Sequence, residues 1–509
     1  MIRIQKATTR RSLLCGAIVA AVALAVTLVQ PARADGPLDG LDDYVTKAMA
    51  DWEVPGMAIA IVKDNAVVLA KGFGVRKLGE TTPVDAGTLF AIGSTSKAFT
   101  AAALAILVDE GKLKWDDAAT RHLPSLELYD PYVARELTVR DLLCHRCGLP
   151  RGDLVWYATS YDRGEVLRRL RFLKPQWSFR SQYGYQNIMF LAAGEIIPRV
   201  TGQSWDDFVK QRLFLPLGMK SACTSVKELA ANGNVAMPHA KIEDKVEPIA
   251  WRNIDNVGPA GSINANVTDM AQWLRMQLGE GEIDGKRLIS AAAIKEMHAS
   301  QTVVPLDDRE RLFYLDAHFL NYGLGWFLHD YHGRKIVEHG GSIDGMRAQV
   351  ALVPEEKLGL VILCNRGGSG LLTPLMFHVL DRYLEGGKRD WSAEVLVRIK
   401  ELEKKANEEK AKQEAERAKD TKPSLPLEKY AGTFSDELYG DCEVKLDADK
   451  LVLHRGPAIV ADLEHWHYDT FRARFRDRVI DPQLVTFHLD ASAKVKGIEL
   501  PGLGEFAKK

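Results

Sequence analysis

Ser94 and Lys97 stand three residues apart at the head of an apolar run that ends at Gly111. On a helix, i and i+3 share a face, so this hydroxyl and amine can meet. A free serine is a weak nucleophile at neutral pH and needs a base. A lysine serves when burial or a nearby cation lowers its pKa. Unpaired backbone N–H groups at the helix start can stabilise an oxyanion. Ser-x-x-Lys is common by chance and could be a surface pair at an ordinary cap. Here Ala98, Phe99, Ala101, Ala102, Ala103, Leu104, Ile106 and Leu107 make the run apolar nearly all round. Such a helix lies at the centre of a domain and draws its lysine inside.

Two further polar clusters fit the same chemistry. Tyr185 and Asn187 are two apart, after a polar loop and before a helix expected over 188–200. An extended backbone points both the same way. A tyrosine shuttles protons where a lysine field lowers its pKa, and an asparagine orients an amide carbonyl. Taken alone, the pair reads equally well as a tyrosine packed under a loop. His339-Gly340-Gly341-Ser342 follows a short strand over 334–338, and its glycines would let a substrate lie along the strand edge.

Other reactive groupings have plainer readings. Cys144 and Cys147 form a C-x-x-C, which suits redox chemistry or half a zinc site. Zinc needs two more ligands at matching spacing, and no second C-x-x-C exists. We read two semi-buried cysteines on a short helix, capped by Thr138 and stopped by Gly148. His465 and His467 would share a strand face, but no third ligand is evident, and ordinary β-packing is the reading. No metal or organic cofactor is called for.

The elements that must position these groups follow from periodicity. Residues 38–52 have helical spacing. Runs 57–62 and 67–70, joined by the Lys63-Asp64-Asn65 turn, open an antiparallel sheet. A capped helix starts at Thr268. Strands 346–353 and 358–363 flank the turn at 354–357, and 371–384 reads as a closing helix. Residues 394–419 are dense in Glu, Lys and Ala, with Glu401–Lys405 and Glu408–Lys412 at helical spacing but no apolar heptad. That is a solvated spacer helix, ended by Pro423 and Pro426. Short alternating runs at 442–446 and 451–454, with Phe471, Phe475 and Phe487, indicate a small antiparallel β-domain.

The chain has 509 residues, a formal net charge of -1 and 46% apolar residues. This is globular, long enough for two or more cores, and gives no support for nucleic-acid binding. Arg3, Lys6, Arg10 and Arg11 precede an apolar stretch at 13–29, and Ala32-Arg33-Ala34 fits a small-x-small cleavage site. Arg10-Arg11 also fits a twin-arginine signal, so Sec and twin-arginine export both stay open. Cys15 precedes the apolar core of the signal, which sets aside a lipoprotein. No other stretch would span a bilayer after signal removal. Cleavage would leave five of the six cysteines, an odd number, and no disulfide framework.

Residues from about 38 to 384 resemble the serine β-lactamase and penicillin-binding protein superfamily, nearest to class C β-lactamases and their esterase and D-aminopeptidase relatives. The resemblance rests on Ser94-Thr95-Ser96-Lys97, Tyr185-Gln186-Asn187 and His339-Gly340-Gly341, in the family's order and spacing. The segment Leu142 to Pro150 also resembles a family structural segment, with Cys144 and Cys147 where Thr or Ser is usual. The resemblance implies Ser94 as nucleophile, Lys97 as its activator and Tyr185 as proton relay. Asn187 would hold the substrate amide, and the backbone N–H groups of Ser94 and Ser342 would form the oxyanion hole. Many penicillin-recognising members carry Lys-Thr-Gly where this chain has His339-Gly340-Gly341. A histidine is mostly neutral at pH 7, which puts β-lactam specificity in question; Arg347 would be a replacement charge. The last segment resembles a β-rich domain of unknown function appended to these hydrolases.

The resulting expectation is an α/β (α+β) fold. It has an antiparallel sheet flanked by helices, an all-α insertion carrying Tyr185, and a barrel-like C-terminal β-domain. The divisions are a signal at 1–34, a hydrolase domain at 38–385, a charged helical linker at 386–424 and the β-domain at 425–509. The expected function is an exported, periplasmic or secreted serine hydrolase that acts through a Ser94 acyl-enzyme on a small-molecule or peptide amide or ester. One rival is a true class C-like β-lactamase or D,D-peptidase. Another is a non-catalytic penicillin-recognising sensor, with a cell-wall or protein partner docked through the C-terminal domain.

Overall fold

The computed structural model describes residues 36–509 except 309, 315 and 388. The expected export signal and its Cys15 lie outside the described residues. The first helix, α1, covers Leu41–Asp51. The main sheet has eight strands: β1 (Gly56–Lys63), β2 (Ala66–Gly74), β3 (Thr302–Val304), β4 (Leu320–Tyr322), β5 (Phe327–Tyr331), β6 (Arg334–Ile343), β7 (Met346–Val353) and β8 (Leu358–Cys364). Their order is β2-β1-β8-β7-β6-β5-β4-β3, and every neighbouring pair is antiparallel.

Strands β1 and β8 are buried almost end to end, which requires cover on both faces of the sheet. On one face Ala58, Ala60 and Val62 of β1 and Ala348 and Val350 of β7 join the core around α2 (Ser96–Asp109). On the other, Gln349 of β7 touches Met376 of α5 (Leu372–Leu384). Between these segments run the helices of the insertion, including α3 (Asn187–Thr201), and then α4 (Val267–Leu278), which packs on β1 and β8. Every residue of α2 from Ser96 to Leu107 is buried, as its all-round apolar pattern demands.

The spacer forms as α6, Trp391–Ala415, in which only Trp391, Ser392 and Val395 are buried. Its base is fixed where the Trp391 indole N–H donates to Asp381 at 2.6 Å and the ring lies 4.9 Å from Phe377. Beyond it, β9 (Gly432–Asp436), β10 (Gly440–Asp447), β11 (Lys450–Arg455), β12 (Ile459–His467), β13 (Thr470–Phe475), β14 (Gln483–Leu489), β15 (Val495–Leu500) and β16 (Gly504–Lys508) form a closed antiparallel barrel. Closure comes from β9 pairing with β16 at Phe434↔Lys508 and Ser435↔Ala507. Burial alternates along these strands, apolar inward and polar outward, around an interior of Phe434, Phe471, Phe487 and Phe506.

The barrel is tied to the rest by arginines. Arg169 donates to the carbonyls of Leu438 at 2.9 Å and Glu437 at 3.1 Å, and Leu438 joins the main core. Arg252 binds Asp344 at 2.7 Å and also Asp477 of the barrel. Arg455 donates to the carbonyl of Leu154. Residues 40–509 form one unit.

Cys144 and Cys147 are free and fully buried, not semi-buried, because the segment after the Thr138–Asp141 capping box lies under α3 and the sheet. Burial pushes their thiols up to about 12 and about 11, so neither is a reactive thiolate. His465 Nε2 donates to the Tyr468 carbonyl and His467 Nδ1 accepts from Ala418 N–H. Among the described residues, no three His, Cys, Asp or Glu side chains are grouped to hold a metal. Nor is any described helix long and apolar enough to cross a membrane.

Candidate active site

Ser94 lies in a short 3-10 turn, Gly93–Thr95, that runs directly into α2. Lys97 is therefore in the first turn of the helix, on the face of Ser94. Its Nζ stands 2.9 Å from Ser94 Oγ, 2.7 Å from Asn187 Oδ1 and 2.8 Å from the Ala260 carbonyl. Lys97 is fully buried, and burial, with Arg151 nearby, holds its pKa well below the usual lysine range; Asp153 opposes this. A neutral amine has two N–H bonds and one lone pair. As an ammonium, Lys97 donates to all three oxygens; once neutral, it keeps two N–H bonds for Asn187 Oδ1 and the Ala260 carbonyl and can turn its lone pair to the Ser94 hydroxyl.

Tyr185 donates to Ser94 Oγ at 2.8 Å from the other side. Its pKa is raised, not lowered as the sequence reading expected. Burial outweighs the Ser94 hydrogen bond and the Arg151 charge, which act the other way. The phenol is thus a protonated donor. Tyr185 and Asn187 are set by Gln186 between them. The Gln186 Oε1 caps α3 by accepting from Ile188 N–H at 3.0 Å, and its Nε2 donates to the Pro150 carbonyl at 2.7 Å. The Gln186 N–H donates to His145 Nδ1 at 3.0 Å, and the His145 ring packs 4.2 Å from the Tyr185 ring.

Asn187 is occupied at both ends: Oδ1 accepts from Lys97, and Nδ2 donates to Asp153 Oδ1 at 2.7 Å. Asp153 is in turn held by the Trp156 indole at 3.0 Å and by Arg151. The Arg151 guanidinium lies 4.8 Å from the centre of the Tyr185 ring.

Strand β6 runs straight through His339-Gly340-Gly341-Ser342. Two glycines make its approach to the nucleophile turn feasible. Gly93 has φ +52°, and a Cβ there would be 2.6 Å from the Ser342 nitrogen; a Cβ on Gly341 would be 1.8 Å from the Ile92 carbonyl oxygen. The Ser342 N–H thus lies against the residue that precedes Ser94. His339 is buried, and burial with the Lys97 field lowers its pKa to about 3. It is neutral, with Nδ1 donating to the Gly340 carbonyl at 2.6 Å and Nε2 accepting from Tyr322 at 2.9 Å.

Ser94, Lys97, Tyr185 and Asn187 therefore meet in one hydrogen-bonded group, and His339, Gly340, Gly341 and Ser342 line the strand beside it. Arg347 does not join them. It is in register with Ser342 but on the face of β7 opposite Ala348, where its titratable neighbours are the Cys364 thiol and the Tyr314 phenol. The cation at the site is Arg151. Sequence reasoning missed it, together with Asp153, the Ala260 carbonyl and Tyr322. The polar triplet Arg151-Gly152-Asp153 directly after the Gly148-Leu149-Pro150 stop was the available signal for two of them. A backbone carbonyl in the Gly258–Gly261 helical turn left none.

Comparison with known proteins gives the following matches. A family model described as Beta-lactamase matches residues 41–379. A second, described as a domain of unknown function (DUF3471), matches residues 416–508. An unguisins hydrolase of Aspergillus campestris is 29% identical over 443 residues, covering 82% of this chain and 80% of its own. Penicillin-binding protein 4 of Amycolatopsis lactamdurans is 30% identical over 328 residues, covering 62% of this chain and 82% of its own. Among solved structures, the octameric penicillin-binding protein homologue from Pyrococcus abyssi aligns with a TM-score of 0.61 and 23% identity, over 92% of this chain and 99% of that one.

Proposed function

This chain belongs to the beta-lactamase family, and we propose that it is an exported serine hydrolase that cleaves an amide or ester through an acyl-enzyme on Ser94. The observation that carries this reading is the pair of hydrogen bonds on Ser94 Oγ, one to a buried lysine amine and one from a buried phenol. Neutral Lys97 takes the hydroxyl proton as Oγ attacks the carbonyl carbon. The developing oxyanion is stabilised by the N–H groups of Ser94 and Ser342. Tyr185 gives its proton to the leaving group as the carbon–heteroatom bond breaks, and the proton that Lys97 took from Ser94 then restores the phenol. Water then attacks the acyl-enzyme along the reverse proton path and releases a carboxylic acid. Asn187 acts here as a strut for Lys97, with both amide ends engaged.

Export rests on the basic and apolar leader with its Ala-x-Ala. On the substrate side, neutral His339 withdraws the cation that penicillin-recognising relatives have at this position, which favours esters and amides without a carboxylate at that edge. Arg151, stacked on Tyr185, supports a second reading, a β-lactamase or D,D-peptidase whose substrate carboxylate meets Arg151 instead. A pure sensor has no need of Ser94, Lys97 and Tyr185 together, and the relative named as a hydrolase supports turnover.

The test is labelling with a serine-directed phosphonate, followed by turnover of a chromogenic ester, a D-amino-acid amide and a cephalosporin. Labelling should fall on Ser94 and vanish in Ser94→Ala. Labelling that persists in that variant overturns the assignment, and cephalosporin turnover above the other two moves the enzyme to the second reading.

A further inference from the structure

Eight-stranded barrels of this size either fill their interior with side chains or keep room for one small ligand. Here one end is not filled. A cavity of about 100 Å³ lies between Leu453, Ile459 and Leu500 of the barrel and Leu154 and Tyr157 of the catalytic part. For scale, a cavity of about 150 Å³ with apolar walls takes benzene.

Arg455, the last residue of β11, also lines this cavity. It is 4% exposed. Its Nη2 donates to the Leu154 carbonyl, and its guanidinium lies 5.8 Å from the Tyr439 ring. Its Nε is buried without a hydrogen-bond partner. Among the described residues no carboxylate pairs with it, and its charged neighbour is another cation, Arg169. A buried guanidinium cannot shed its proton, and leaving one of its donors unmatched costs free energy that a bound anion would recover.

An apolar cavity and an unmatched cation on its wall describe one kind of ligand. We propose that this end of the barrel binds a small amphiphilic anion, a short aliphatic carboxylate whose chain fills the cavity and whose carboxylate pairs with the Arg455 guanidinium. The chain length that fits is on the order of four to five carbons, given the benzene comparison. The site reports on the reaction centre through a short path. Leu154 follows Asp153, and Asp153 holds Asn187, which holds Lys97. It stands apart from Ser94 and does not depend on the hydrolase reading. Two sources share the chemistry: the acid freed from the acyl-enzyme, and a carboxylate unrelated to turnover.

The test is calorimetric titration of the full mature chain with pentanoate, beside pentan-1-ol and acetate. Pentanoate should bind saturably, and each control, lacking one half of the ligand, should bind about tenfold or more weaker. Arg455→Gln removes the charge, and Ile480→Trp, at a half-buried residue that also lines the cavity, fills it while keeping the charge; both should weaken pentanoate by about tenfold or more. Should Arg455→Gln fail to fold, Ile480→Trp decides alone. Pentanoate that does not saturate the wild type, or binds a folded Ile480→Trp as well as the wild type, overturns the proposal. Turnover of a pentanoyl ester separates the sources. Inhibition by pentanoate that is lost in Ile480→Trp shows that the freed acid acts through this site, and variant-sensitive binding without inhibition marks a carboxylate unrelated to turnover; both uphold the site.

Discussion

Lys97 and Arg455 are both basic side chains drawn into the protein, and the molecule treats them in opposite ways. Around Lys97 every polar position is matched: the oxygens of Ser94, Asn187 and Ala260 stand 2.9, 2.7 and 2.8 Å from Nζ. Around Arg455 one carbonyl accepts, one Nε has no partner, and the field of a second arginine, Arg169, acts on it. The side-chain chemistry explains the contrast. A lysine can lose its proton, so burial converts it into a base and the surroundings can be completed with neutral acceptors. A guanidinium stays charged at any accessible pH, so an incomplete surrounding is a standing demand for an anion. On the proposed readings, the buried lysine beside a hydroxyl serves catalysis and the buried arginine beside a cavity serves binding.

The comparison breaks most sharply at residue 97. Lys97→Ala and Tyr185→Phe should each lower kcat/KM by about 10²–10⁴-fold with the fold intact, and the double variant should lose far less than the product of the two. Lys97→Arg keeps the charge but cannot become neutral, so it should be about as inactive as Lys97→Ala. An active Lys97→Arg would show that charge, not basicity, is what position 97 supplies. Steady-state ester kinetics on the four proteins decide the matter.

The pH profile sharpens the same point with signs fixed in advance. The working form of Lys97 is neutral, so activity should rise with pH through its depressed pKa. Arg151 helps to depress that pKa and Asp153 opposes it. Arg151→Gln should therefore move the acid limb of kcat/KM to higher pH, and Asp153→Asn should move it to lower pH. Shifts in the same direction would detach the limb from Lys97. Stability follows the linkage relation. Between the folded and the ordinary lysine pKa the unfolded chain binds more protons, so stability rises with pH across that window. Thermal melts of Lys97→Met should lack that rise.

The smallest effect is expected at the barrel. Arg455→Met removes an incompletely matched buried charge and leaves apolar volume in its place, an exchange that is commonly neutral or stabilising. Melting of Arg455→Met should give a stability within about 1 kcal/mol of the parent or above it, although the Leu154 contact is lost. A loss of about 3–5 kcal/mol would mean that Arg455 is fully paired after all.

The two regions also differ in how much of them could be read from the sequence. The Ser94–Lys97 contact is a property of one helical turn, and Tyr185 with Asn187 is a property of three consecutive residues leading into a capped helix. Local geometry fixes both, so spacing carries the information. Barrel strands were visible for the same reason, since inward and outward positions alternate residue by residue.

By itself, then, the sequence determined the meeting of Ser94 and Lys97, the tyrosine beside them, the antiparallel sheet and the charged spacer, all through periods of a few residues. Tertiary structure alone decided the rest. It set the protonation of Tyr185, because burial outweighed the fields that would lower its pKa. It excluded Arg347, because strand register put that side chain on the far face of β7, and brought in Arg151 and Asp153 from a loop. It closed the barrel by pairing strands more than seventy residues apart and left Arg455 facing a cavity there. Desolvation, register and long-range pairing depend on what the rest of the chain packs against each group, and no local spacing encodes that.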